Sequence, residues 1–182
     1  MKNISVNFII ILGLIIFYSC NSSVPKECIE RADSLKQQLD IAHKEFLAIP
    51  YAEYDQIHKK VKETNAIFKT HIFNIKDETF KTTFSQYTDL EKEYKRILKR
   101  YKNIAEEFDV SIKQIDNIKE DMKSGALNEK DKIEIYLNQE KAAMQYLTQT
   151  MKDLFVDAEK QKNNFLQSKE AVEKFAEELV KN

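Results

Sequence analysis

The side chains with the most chemistry in this sequence are three histidines, His43, His58 and His71. Two of them follow an aspartate by three residues, in Asp40-Ile41-Ala42-His43 and Asp55-Gln56-Ile57-His58. On a helix that spacing puts acid and imidazole on one face. A di-metal centre inside a helical bundle needs such pairs on opposed helices, with two further glutamates pointing inward. Pro50 decides whether the pairs can meet. If it reverses the chain they face one another; if the helix runs on, they lie roughly 22 Å apart along one axis and cannot share an ion. Aspartate stands where glutamate is usual in such pairs, and Glu91 and Glu140 are the acids that fall on apolar-periodic positions. Solvated histidines are the expectation, with no metal site and no cofactor.

Other chemistries are thinner still. Cys20 and Cys28 form no CxxC or metal-spaced set. Cys28-Ala32-Leu35-Leu39 is a helical core spacing, which predicts a buried, inert thiol. Lys92, Lys95, Arg96, Lys99, Arg100 and Lys102 make one basic run, interleaved with Tyr94 and Tyr101. Basic and aromatic residues together can bind nucleic acid. Here both tyrosines fall on the apolar seam and Glu91 and Glu93 offset charge. The run is therefore expected to be a solvated face, with anionic glycan or lipid headgroups as the alternative contact and no nucleic acid. No nucleophile, base and oxyanion donor can be assembled, so no catalytic residue is assigned and no enzyme is expected. With 29 basic and 30 acidic residues the net charge is −1, which supplies no drive toward a polyanion.

The elements that would position these groups are long helices. Gly125, in Lys123-Ser124-Gly125-Ala126-Leu127-Asn128, is the one glycine beyond the N-terminal apolar segment. It can close one helix in the left-handed conformation while Asn128 caps the next, with Asp131 completing a capping box. Before it run Phe80, Phe84, Tyr87, Glu91, Tyr94, Leu98, Tyr101, Ala105, Phe108, Ile112, Ile115, Lys119 and Met122. Leu90, Ile97, Ile104 and Ile118 add a flanking stripe, wide enough to touch more than one helix. After it run Ile133, Leu137, Glu140, Met144, Leu147, Met151, Leu154, Ala158, Gln161, Phe165, Ser168, Val172, Phe175 and Leu179. Glu91, Lys119, Glu140 and Gln161 interrupt the seams and are expected to set register. Aromatics at this spacing are read as packed core rather than the lining of a ligand cavity.

The first segment carries Cys28, Ala32, Leu35, Leu39, Ala42, Phe46 and Ile49, then resumes one residue late at Tyr54, Ile57, Val61, Thr64, Phe68 and Ile72. Pro25 fits its first helical turn. Pro50 kinks or breaks it, and Asn74 to Asp77 are the next candidate turn. Segments 27–72, 77–122 and 129–180 are of similar length, roughly 70 Å each as helix. The predicted fold is all-α: an elongated antiparallel three-helix bundle over residues 27–182. The alternative is a four-helix bundle in which Pro50 reverses the chain.

Ahead of the bundle stands Met1-Lys2-Asn3, then the apolar block Val6 to Phe17, then Tyr18-Ser19-Cys20. A basic start, a short apolar core and a small residue before the cut describe a secretory signal peptide. The block is short of the ~20 residues that a bilayer span needs, and Asn7 interrupts it. Phe17-Tyr18-Ser19-Cys20 resembles the lipobox of bacterial lipoproteins, with Phe17 in place of the usual Leu and Tyr18 in place of a small residue. The resemblance implies cleavage between Ser19 and Cys20 and acylation of Cys20, the palmitate-type anchor holding the protein on the membrane. It also implies residues 1–19 as signal peptide and 20–26 as anchor and tether. Asn21 rather than Asp points to the outer membrane. A Cys20–Cys28 disulfide would apply only without lipidation. Loss of Lys2 leaves 28 basic against 30 acidic residues, a net −2. The function expected is a non-catalytic helical scaffold or protein-interaction module of the cell envelope. The alternative is a metal- or small-ligand-binding bundle.

Overall fold

The computed structural model describes residues 24–71 and 78–181. It contains four helices, α1 Lys26–Leu47, α2 Tyr51–His71, α3 Glu78–Ser124 and α4 Lys130–Lys181, and no strand among the described residues. The candidate turn at Asn74 to Asp77 lies outside the described residues.

α1 and α2 act as one rod. Only residues 48–50 separate them, and the two helices do not pack on each other. Pro50 cannot donate a hydrogen bond, so the α1 ladder stops at the Ile49 N–H, which donates to the Phe46 carbonyl at 3.0 Å. The Pro50 carbonyl then starts α2 by accepting from Glu53 at 3.1 Å. The chain continues in one direction, and a reversal into a four-helix bundle does not occur. The break absorbs the one-residue slip in phase, so Phe46 and Tyr54 are both buried.

Contacts along the rods give their directions. Going up α1 and α2, Asp33 meets Lys119, Phe46 stacks on Tyr101 and Phe68 meets Phe84, so α3 runs antiparallel. Arg31 meets Glu134, Tyr54 meets Glu159 and Lys60 meets Glu173, so α4 runs parallel to the first rod. The result is the expected elongated three-helix bundle. Its core falls into two clusters: Cys28, Ala32, Leu35, Ile115, Met122, Ile133 and Leu137 fill the end at the Gly125 turn. Phe68, Phe80 and Phe175 fill the other, with Phe80 and Phe175 stacked at 3.8 Å between ring centres. Each fully buried side chain of this size contributes about 1.5–3 kcal/mol.

The stripes read from the sequence are the stripes that are buried, with additions. Ser111 fills the gap in the second α3 stripe between Ile104 and Ile118, Asn65 joins the α2 core, and Ala176 is buried beside a half-buried Phe175. The wide α3 face touches both other rods.

Two terminal details differ from expectation. Pro25 stands just before α1 rather than inside its first turn, and its carbonyl accepts from Cys28 at 2.9 Å. Gly125 does adopt the left-handed conformation, at φ 77°, and the Leu127 N–H donates back to the Asp121 carbonyl at 3.0 Å. The capping box at Asn128 and Asp131 is not formed. α4 starts at Lys130, where the Glu129 carbonyl accepts from Ile133, which leaves Asn128 too far ahead of the helix to cap it.

Candidate interaction surface

The polar residues that interrupt the seams have three different fates. Glu91 is half-buried between α2 and α3 and accepts from the Asn65 amide at 2.9 Å, with Lys69 3.8 Å away. Lys119 reaches out from its seam to Asp33 at 2.7 Å. Both fix the register of α3 against the first rod. Gln161 turns to its own helix, accepting from Asn164. Glu140 is half-buried with no hydrogen-bond or ion-pair partner among the described residues, and burial raises its carboxyl above the usual range.

Three tyrosines cross the middle of the bundle. The Tyr54 hydroxyl donates to Glu159 Oε1 at 2.7 Å. Burial, and then that hydrogen bond, push the Tyr54 phenol well above its ordinary value. Burial likewise pushes Tyr87 up to about 12. Tyr94 is 0% exposed and its hydroxyl has no partner among the described residues. Burial, then the Glu53 and Glu159 carboxylates, raise it too.

The histidines do not converge. Asp40 is bonded to Lys36 at 2.8 Å, and His43 stacks on Phe108 with ring centres 5.1 Å apart. Asp55 pairs with Lys59 at 2.7 Å, one turn along α2. His71 lies over the Ile67 carbonyl. Because α1 and α2 are end to end, the two Asp-x-x-His pairs never face each other. Among the described residues no three His, Cys, Asp or Glu side chains stand as they would around a metal. Cys28 is buried, as its spacing implied, with its thiol 3.8 Å from Glu134 Oε1.

Half of the six-residue basic run is neutralised. Lys92 pairs with Asp89, Arg96 with Glu93 and Arg100 with Asp157, while Tyr94 and the half-buried Tyr101 belong to the core.

No family model, curated protein or solved structure matches this chain. Function has to be read from the surface.

Two of the apolar patches along α4 lie away from the ends of the rod. One lies between α3 and α4, where Val110 is 55% and Tyr146 is 68% exposed, edged by Glu106, Glu107 and Asn103. The other lies at the Pro50 break, where α1 ends and a groove of about 560 Å³ opens against α4. Ile49, Met151, Phe155 and Val156 line it, with Glu45 on the α1 side and Lys152 on the α4 side. Periodicity flags only the core stripe, so neither patch was legible in the sequence. Among the described residues no helix is long and apolar enough to cross a membrane. Ser19 and Cys20, the residues of the expected cleavage and lipidation, lie outside the described residues.

Proposed function

We propose that this chain is a lipid-anchored protein of a bacterial envelope, held on the outer membrane through Cys20, that serves as a non-catalytic helical scaffold for another envelope protein. The observation that carries the reading is the rod itself. Its apolar stripes are consumed in two interior clusters along the rod, and the described connections at 48–50 and 125–129 are too short to build a cleft. What is left for a partner is the side of the helices. There the Val110 and Tyr146 patch, apolar at the centre and polar at the edge, has the anatomy of a protein-binding site. The apolar block ending at Cys20 supports the anchor, and two or three acyl chains suffice where one alone is marginal. The alternative of a metal- or small-ligand-binding bundle has no such support, since the acid–histidine pairs sit on colinear helices.

Metabolic labelling with palmitate tests the anchor. Wild type should take the label and Cys20→Ala should not; equal labelling, or none in either, removes the lipid. A photo-cross-linking residue at position 146 in living cells tests the docking face. One reproducible adduct with a different envelope protein, weakened by Val110→Asp, is expected; the absence of any adduct overturns it.

A further inference from the structure

The groove at the Pro50 break is uncovered for a structural reason. α1 ends at Leu47, and the first rod walls the groove opposite α4 only with Glu45, Ala48 and Ile49. Phe155 is left 45% and Val156 65% exposed beside the groove. The two walls carry opposite charges, Glu45 from α1 and Lys152 from α4, and neither is in an ion pair among the described residues.

We infer that this groove is a self-association site whose occupant is a second copy of the chain. An isologous contact requires one patch to be complementary to itself. A two-fold axis running along the bundle sets the α1 wall of one copy against the α4 wall of the other. Glu45 then meets Lys152 of the second copy twice over, and Phe155 and Val156 of each copy fill the groove of the other. An acid on both walls, or a base on both, would repel under that operation. The same axis keeps the two copies parallel, with both N-termini at one end.

The patch is small. One turn at the end of α1 against two turns of α4 falls well short of the roughly 800 Å² per partner of a stable complex. The dimer is therefore weak and depends on local concentration, which tethering both copies to one surface raises.

The test uses the full chain in the cells that make it. With cysteines introduced at Glu45→Cys and Lys152→Cys together, mild oxidation should give a covalent dimer. The two single variants should give it only when co-expressed. Adding Phe155→Asp to the double variant should lower the dimer yield by about tenfold while leaving helicity unchanged. A photo-cross-linking residue at position 156 supplies a second measurement. Its self-adduct should fall about fivefold with Glu45→Lys and return when Lys152→Glu is added. No dimer, an adduct with a different protein, or a single variant that cross-links to itself would each overturn the assignment.

Discussion

Tyr54 on α2 donates its phenol to the Glu159 carboxylate on α4 at 2.7 Å, tying together two rods that run in the same direction. Tyr94 on α3 is buried as deeply, yet its hydroxyl finds no acceptor among the described residues. The same residue type therefore stabilises one position and costs stability at the other. Hydrogen bonds to charged acceptors contribute more than neutral ones, and an unpaired buried polar group carries its full desolvation penalty.

Phenylalanine replacements should separate the two. Tyr54→Phe should lower unfolding stability by about 2 kcal/mol, because it also strands the half-buried Glu159. Tyr94→Phe should be neutral or stabilising by about 1 kcal/mol. Urea unfolding followed by circular dichroism reads both; equal losses in the two variants would contradict the assignment.

The buried phenols also make the bundle sensitive to alkali. Tyr87 is pushed up to about 12, and Tyr54 and Tyr94 are raised as well, against an ordinary value of 10.0. The folded chain thus keeps protons that the unfolded chain releases, so stability falls as pH rises above the ordinary tyrosine range. Phenolate absorbance of these residues should appear together with loss of helicity. Ionisation without unfolding would show that the phenols are open to solvent.

Glu140 behaves in the same sense at lower pH. Its carboxyl is raised by burial, so the folded state holds a proton through a window in which the unfolded state has lost it. Stability from this group is present below the ordinary glutamate range and is lost as pH rises through the raised value. Glu140→Gln should therefore raise the melting temperature at pH 7 and leave it unchanged near pH 4. A melting temperature at pH 7 that does not rise would place the carboxylate in solvent.

Gly125 sits at φ 77° with nothing within 4 Å of an added Cβ, so a side chain there meets strain and no clash. Gly125→Ala should destabilise by about 1–2 kcal/mol, with the α3–α4 pairing retained. A larger loss would mean that the turn is packed more tightly than its open surroundings indicate.

The sequence and the fold agree most closely where repetition carries the information. Tyr87, Phe108, Ile133 and Leu154 could be placed in the core because many neighbours repeat the same step, and all four are buried. Single-residue features were harder. Asn65 is buried where Glu91 across the interface accepts from its amide, Ser111 is buried as well, and polarity gave no hint of either. The Asn128 cap failed because capping depends on the position at which a helix starts, to within one residue. The groove at Pro50 depends on which α4 residues lie opposite a break in another rod. That is a property of register between helices, so Phe155 and Val156 look ordinary in their own segment.

The shared core turns the bundle into a ruler with a fixed scale. α4 alone, at 52 residues, spans roughly 78 Å, and the other two rods complete both of the core clusters along it. Cutting seven residues from a single helix would set aromatic layers such as Phe80 and Phe175 against the wrong neighbours. Excising a matching seven from all three at one level should instead shorten the molecule by roughly 10 Å and leave it folded. The reach of this protein can thus change only in whole, threefold steps.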